Sequence, residues 1–403
     1  MRNVSRSLFV GVVIASALAA MPSGRALALP PAGPGVPIWA PDWMKNGSGH
    51  TAWDPGRTLA LRQARTFDLI LAHATTYDNH VSAMMSANRN LRLFVYVQGM
   101  FSPAGNLPAR WYARTAAGNR IRSLEFGTYL MNPRSGGWRN EVLSNCRARL
   151  SASHYHGCFL DSLGPTGVGE FMSGTPVDPE TGRAYTRRHW LEATKALAVG
   201  VEAAMAPRPT LLNGLVDGPG YVHEAGPTER LLDGCTGGMM EAFVRGARWK
   251  VSDHKTVSAW REDVDALVDA GTRGEGAIVL AITKVWTSAT PGQVARLHRY
   301  SLGTFLLGYK PGHAYFSFRS DHDLTTPSAL WGAGLGAPGG SYVRTSSGLF
   351  VRAFGGGLVV VNPTTSSHSL RLGRRYVDLD GVTRASGTNL VLSPHTAQIL
   401  RNA

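Results

Sequence analysis

The stretch Tyr155-His156-Gly157-Cys158-Phe159-Leu160-Asp161-Ser162-Leu163-Gly164-Pro165 decides how the chain is read. A glycine delivers a short apolar run, Cys158 to Leu160, which ends on an acid, small residues and a Gly-Pro break. An apolar run this short between turn signals predicts a strand buried on both faces. Asp161 then sits at the C-terminal tip of that strand. A carboxylate is costly to bury without a partner, so its place asks for a reason. Two readings stand side by side. In one, Asp161 caps the following loop through backbone amides. In the other it does chemistry at the rim of a barrel of alternating strands and helices.

Working outward, the same rhythm repeats. Ile38-Trp39-Ala40 leads to Pro41-Asp42-Trp43, and a helical stretch follows from Arg57 to Arg65. Phe67 to His73 predicts the next strand, His80 to Asn90 a helix, and Leu91 to Val97 a strand that ends at Gln98-Gly99. Helix Trp138–Leu150 feeds the strand of Asp161, and helix Arg188–Met205 follows it. Four more strands are expected: Thr210–Leu212 ending at Asn213, Gly238–Met240 ending at Glu241, Ala277–Thr283 ending at Lys284, and Ala314–Phe318 ending at Arg319. Helices Val257–Ala270 and Pro291–Leu307 precede the last two. About eight strand-helix repeats close an α/β fold of the (β/α)8 TIM barrel type.

Residues 101–133 break the rhythm with a long segment rich in Gly, Arg and aromatics, read as an elaborated rim loop with a small hairpin. Beyond about Leu335 the pattern changes to short strands without helices, which predicts a small C-terminal antiparallel β-domain. The expected organisation is a signal peptide over 1–28, a Pro-rich leader over 29–36, a barrel over 37–334 and the β-domain over 335–403.

Composition narrows the function. With 403 residues, 43% of them hydrophobic, the chain can bury one large domain and a smaller one. Arg2 and Arg6, the apolar run Leu8–Ala20 and the A-x-A pattern Ala26-Leu27-Ala28 predict a secretory signal cleaved after Ala28, hence a secreted or cell-surface protein with no membrane span after cleavage. Loss of Arg2, Arg6 and Arg25 would lower the net charge from +14 to +11. The basic residues are scattered, which fits solubility or adhesion to an anionic surface better than nucleic-acid binding. Cys146, Cys158 and Cys235 lack metal spacing and allow at most one disulfide, with Cys146–Cys158 conceivable if helix and strand pack together.

The strand ends carry the chemistry: Asp42, His73, Gln98, Asp161, Asn213, Glu241, Lys284, and Arg319 with Asp321. With Trp39, Trp43, Tyr77 and Trp286 they describe a polar cleft with aromatic walls, the environment a pyranose ring needs. Glycoside hydrolysis commonly uses two carboxylates, and Asp161 and Glu241 form the best pair. Glu241, beside Met239, Met240 and Phe243, is expected to have a raised pKa that suits a proton donor, leaving Asp161 as nucleophile or base. The structural alternative pairs Glu241 with Arg245 or Lys284. Lys284 as substrate contact competes with a salt bridge to a rim acid, Asn213 and Gln98 with fixing loops, Asp42 with a loop cap, and Asp321 and Asp323 with solvated surface. His73 is not expected to hold a metal, because no H-x-H or H-E-x-x-H spacing is present. No G-x-S-x-G elbow occurs, and no cofactor is implied.

Gly157-Cys158-Phe159-Leu160-Asp161, with Met131-Asn132-Pro133, Trp138-Arg139, Gly238-Met239-Met240-Glu241, Gly348 to Arg352 and Val361-Asn362-Pro363, resembles the hypothetical glycoside hydrolase-like proteins of bacteria, and among them the group numbered fifteen. The resemblance spans about Pro37 to Leu400. It implies a glycosidase-like (β/α)8 barrel with a C-terminal β-domain and a catalytic acid at Asp161; Glu241 is read from the strand pattern. The expected activity is cleavage of an extracellular or cell-wall polysaccharide. The alternative is a barrel that binds glycans without cleaving them.

Overall fold

The computed structural model describes residues 35–41, 54–73, 76–224, 232–233, 235–272, 277–320 and 329–403. The signal peptide and most of the leader expected at the N-terminus, together with Asp42, Trp43, Asp321 and Asp323, lie outside these residues.

Eight parallel strands follow one another in space in the order of the chain: β1 (Trp39–Pro41), β2 (Leu69–Ala72), β3 (Arg92–Gln98), β4 (Gly157–Asp161), β5 (Thr210–Asn213), β6 (Gly237–Met240), β7 (Ile278–Lys284) and β8 (Ala314–Arg319). A parallel bridge between Ile38 and Phe316 joins the last strand back to the first and closes the barrel. Among the described residues six α-helices wrap it: α1 (Arg57–Thr66), α2 (Val81–Ala87), α3 (Gly136–Ser153), α4 (Arg187–Met205), α5 (Val257–Thr272) and α6 (Pro291–Gly308). The crossover from β5 to β6 holds no longer helix among the described residues than the five-residue turn Gly220–Glu224. The eight strands expected from the sequence are therefore present.

Local chemistry explains where the helices start. Ser135 caps α3 by accepting from the Trp138 amide at 3.3 Å. Thr290 opens α6 with a capping box, exchanging side-chain and backbone bonds with Gln293, and Pro291 takes the first helical position. In α4, Trp190, Leu191, Thr194, Leu197, Ala198, Val201 and Met205 recur at helical spacing and are all buried. Each large apolar side chain so buried contributes about 1.5–3 kcal/mol.

Inside the barrel, side chains alternate along each strand. Trp39, Leu69, Leu71, Phe94, Phe159, Leu211, Met239, Ile282 and Tyr315 fill the interior as one cluster, with Tyr96 packed against it. The intervening residues, such as Cys158 and Leu160, join the outer core under the helices. This period of two matters for function. The residue two places beyond an interior side chain also points inward, one layer higher, at the C-terminal mouth.

After the barrel the chain forms β9 (Val343–Arg344), β10 (Phe350–Phe354), β11 (Gly357–Asn362), β12 (His368–Arg371), β13 (Tyr376–Asp378), β14 (Thr383–Arg384), β15 (Asn389–Leu392) and β16 (Thr396–Asn402). Six of these make an antiparallel sheet in the order β9-β10-β11-β16-β13-β14, and β12 pairs with β15. The sheet lies against α6 at Gly303, where a Cβ would stand 2.5 Å from the Ala397 Cβ, so only glycine lets helix and sheet approach this closely. The final strand, β16, escaped the sequence reading although it is central, because Thr396–Asn402 mixes polar and apolar residues, even though Ser393-Pro394 marks the turn before it.

The segment after β3 is the elaborated loop expected from its composition. It holds a two-residue antiparallel ladder, Phe101–Ser102 with Tyr129–Leu130, and a single turn of 3-10 helix at Ala109–Trp111. Cys146 and Cys158 are buried and both are free thiols, as is Cys235.

Candidate active site

The alternation above places seven side chains in the layer over the apolar interior. His73 lies two beyond Leu71, Gln98 two beyond Tyr96, Asp161 two beyond Phe159, Asn213 two beyond Leu211, Glu241 two beyond Met239, Lys284 two beyond Ile282, and Arg319 four beyond Tyr315. Strand register carries the same message, with Gln98 opposite Asp161 and Lys284 opposite Arg319.

Asn213 ties the layer together. Its amide donates to Asp161 Oδ1 at 2.8 Å and to Glu241 Oε2 at 3.0 Å. One nitrogen touching both acids holds those two oxygens no more than about 5.8 Å apart, the two bonds laid end to end. The other Asp161 oxygen, Oδ2, accepts from the Tyr96 hydroxyl at 2.5 Å, from the Ser162 hydroxyl at 3.1 Å and, at 3.4 Å, from Gln98 Nε2. Gln98 also donates to the Tyr96 hydroxyl at 2.9 Å. Burial and the adjoining Asp161 push the Tyr96 phenol upward, so it stays protonated and remains a donor. His73 stacks on the Tyr96 ring with centroids 4.7 Å apart.

Glu241 differs from the sequence expectation. Its carboxylate accepts from Lys284 Nζ, which lies 4.5 Å over the Trp286 ring. Burial alone would push the Glu241 carboxyl up, as its Met and Phe neighbours predicted. The Lys284 charge and hydrogen bond, with Asn213, outweigh that, and the net shift is downward. The pairing with Lys284 is the structural alternative that the sequence offered; it is realised across 43 residues, from the end of the next strand, and it reverses the raised pKa expected for Glu241. Arg245, the other partner considered, instead donates to the carbonyl of Trp249 and to that of Lys250 at 3.2 Å. The Glu241 side chain nonetheless keeps 37% of its surface exposed, and Asp161 is also part-exposed, so both acids face open space.

The backbone around these groups is held under strain. Ser162, Val216 and Val244 follow Asp161, Asn213 and Glu241 within three residues, and all adopt positive φ, at 65°, 58° and 69°. For valine this is a sterically unfavourable conformation that surrounding contacts must enforce. Asp263 on α5 holds the loop at Val244, accepting from its amide at 2.9 Å and from the Gly218 amide at 2.7 Å, while the Val216 carbonyl accepts from the Ala242 amide at 2.8 Å. Lys255 neutralises Asp263 at 2.8 Å and reaches Asp217 at 3.0 Å. A buried ion pair thus pins the loops after β5 and β6, the two that carry Asn213 and Glu241. On the other side, Gly99 donates its amide to the Asp161 carbonyl at 3.0 Å, and a Cβ there would fall 2.6 Å from that oxygen. The Trp138 indole donates to the Gly99 carbonyl at 2.7 Å and holds the turn in place.

Several expected contact residues stand elsewhere. Trp39 is 1% exposed, fills the barrel interior and donates from Nε1 to the Ala281 carbonyl at 3.2 Å, so it forms no cleft wall. Tyr77 is equally buried in the outer core, its hydroxyl bonded to Gln63 on α1. Both were counted as cleft aromatics because a strand-end or loop position does not reveal which face a ring takes. Arg319 reaches the mouth layer but its side chain is buried. Trp286 is exposed at the mouth. Tyr96 and Ser162 were not singled out, yet both bond Asp161; the signal for Tyr96 was its position two before Gln98, on the same face of β3. Among the described residues no cluster of three or more His, Cys, Asp or Glu side chains is arranged as metal ligands would be, and no helix is long and apolar enough to cross a membrane.

A family model for hypothetical glycosyl hydrolase family 15 matches residues 77–358, which include every acid and amide of this layer from Gln98 to Lys284. The chain belongs to that family. Solved structures agree on the fold. The noncanonic maltogenic α-amylase AmyB from Thermotoga neapolitana is similar at 10% identity, with 91% of this chain and 98% of that one covered and a TM-score of 0.51. An Anoxybacillus α-amylase is similar at 11% identity, covering 86% and 89%, with a TM-score of 0.50. The glycoside hydrolase domain of PelA from Pseudomonas aeruginosa shares 16% identity over 72% and 96%, with a TM-score of 0.43. No curated protein matches the chain in sequence. The family 15 chain is therefore a glycoside hydrolase-like TIM barrel.

Proposed function

We propose that this family 15 chain is an exported glycoside hydrolase that cleaves an extracellular or cell-wall polysaccharide with Asp161 and Glu241 as its carboxylate pair. The observation that carries the reading is the single Asn213 amide bonded to both acids at 2.8 and 3.0 Å. Retaining glycosidases hold their carboxyl groups about 5–5.5 Å apart and inverting ones about 6.5–9.5 Å, leaving room for a water. A limit of about 5.8 Å between the bridged oxygens fits the shorter spacing. In this scheme Asp161, held in one orientation by Tyr96, Ser162, Gln98 and Asn213, attacks the anomeric carbon and the glycosidic C–O bond breaks. Glu241 gives its proton to the departing oxygen, then takes one from the water that releases the sugar from Asp161.

Lys284 sets a condition on that scheme. Because it favours the ionised form of Glu241, the proton donor is fully loaded only below the usual carboxylate range, and activity should be greatest at acidic pH. The same ion pair supports a second reading, a barrel that binds glycans with Glu241 engaged by Lys284 and cleaves nothing. His73, Gln98, Trp286 and the buried Arg319 are the remaining candidates of the described chain for holding sugar; Asp42, Trp43 and Asp321 keep that role as proposals from sequence. The test is to present the mature protein, at acidic and neutral pH, with a panel of bacterial and plant glycans and read products by mass spectrometry. New reducing ends on at least one polymer support hydrolysis; binding without any product supports the second reading.

A further inference from the structure

Among the described residues eight large hydrophobic side chains are exposed, and three of them are valines that follow the barrel, Val343, Val382 and Val391. The other five are Leu124, Phe126, Phe171, Trp249 and Trp286. Phe126 is 67% exposed, Leu124 66% and Phe171 60%, far more than side chains of this kind keep on an ordinary surface. They come from four different loops, yet contacts join those loops at the barrel mouth. The Leu124 amide donates to the Phe171 carbonyl at 2.9 Å, linking the segments after β3 and β4. Arg248 pairs with Glu125, which brings in the loop after β6. The Trp286 amide donates to the Ala247 carbonyl at 2.9 Å, and Thr287 to the Trp249 carbonyl at 3.0 Å, which adds the loop after β7. Trp286 in turn lies under Lys284, the partner of Glu241. The exposed apolar side chains are thus connected to the candidate proton donor, one loop to the next.

The loop after β3 is predominantly basic, while the loop after β4 brings Glu170 beside Phe171 and pairs Asp178 and Glu180 with Arg134. Residues 101–134 contain five arginines and one acid, Glu125, already paired with Arg248. Arg120 and Arg122 lie 4.0 and 4.1 Å over the rings of Tyr112 and Tyr129, which fixes both cations on the loop. A neutral protein or lipid partner would call for an apolar patch without such a fixed positive field. An extended sugar chain bearing carboxylates uses both features, C–H faces on the rings and charges against the guanidinium groups.

We infer that this ridge binds a stretch of acidic polysaccharide leading away from Asp161 and Glu241, so that the substrate is a uronate-bearing polymer rather than a short neutral sugar. The inference rests on the glycosidase reading, but its test does not depend on turnover. The full mature chain carrying Asp161→Asn is titrated with polygalacturonate, alginate and hyaluronate, and with dextran as neutral polymer, at low and high salt. The same titration is run with Phe126→Ala and Phe171→Ala together, and separately with Trp249→Ala. At least one uronate polymer should bind, more tightly than dextran, and should weaken as salt is raised. Each ridge variant should lose about tenfold in affinity while its thermal unfolding stays that of the parent. Binding of none of the uronate polymers, equal binding of dextran at low salt, or unchanged affinity in the ridge variants would overturn the inference. Tight ridge-dependent binding by a wild-type chain that cleaves none of these polymers would sustain the ridge as an acidic-glycan surface, overturn the bound polymer as substrate, and favour the binding-only reading over the hydrolase.

Discussion

Asn213→Ala offers the sharpest probe of the cleft, because one amide serves both acids. It removes two hydrogen bonds to charged acceptors, at 2.8 and 3.0 Å. Bonds of this kind contribute about 1.5–3 kcal/mol each. Both carboxylates are part-exposed, so the lower figure applies to each bond and the two together contribute about 3 kcal/mol; at about 1.4 kcal/mol per tenfold, turnover should fall about 100-fold. The variant should also change the pH profile. Asn213 is one of the groups that lower Glu241, so its loss raises the Glu241 pKa, keeps the proton donor loaded to higher pH and moves the alkaline limb of kcat/KM upward. The assay is release of reducing ends across pH on a polymer the wild type cleaves, with circular dichroism and thermal melting to check the fold. A fall of less than about threefold in a folded variant, with an unmoved alkaline limb, would refute the idea that Asn213 organises a catalytic pair.

Lys284→Met should move the same limb further in the same direction, since the lysine lowers Glu241 more than Asn213 does while burial pushes it up. An unchanged limb would mean that Glu241 does not donate the proton. Away from the cleft, Glu202 on α4 accepts from the Thr210 amide at 2.8 Å and the Thr236 hydroxyl at 2.6 Å, and burial raises its pKa from 4.5 to about 7. A carboxyl raised in the folded state stabilises fully below its unfolded value, and that contribution is lost as pH climbs through the folded one. Melting temperature in the wild type should therefore decline between about pH 4.5 and 7 more steeply than in Glu202→Gln; parallel profiles would contradict the assignment.

The barrel was legible because its signal is repeated. Short apolar runs such as Cys158–Leu160 and Leu211–Leu212 each end on a polar residue, and eight such runs separated by crossovers leave few other topologies. The convergence of Asp161, Asn213 and Glu241 followed from that count, since strand ends of a closed barrel share one mouth. What sequence did not decide was which of two competing effects wins at a given side chain. Lys284 was named as a possible partner of Glu241, but only the structure shows that its charge outweighs burial and lowers the carboxyl. The inward turn of Trp39, and the burial of Tyr77 against Gln63, depend on which face packs, and an isolated aromatic carries no such information. Tyr96 was hidden for the opposite reason: it sits one layer below the rim, where an apolar residue was assumed, and its hydroxyl reaches up to Asp161.

The measurement closest to the central claim compares Asp161→Asn and Glu241→Gln with the wild type on one polymer, under conditions where all three proteins are folded. Each substitution keeps the shape of the side chain, removes its capacity to ionise and turns one of its acceptor oxygens into an amide donor. Turnover should drop by about 100- to 10,000-fold in both variants, the usual contribution of a positioned acid or base, while polymer binding persists. Wild-type turnover in either variant would take that residue out of the reaction and dissolve the pair.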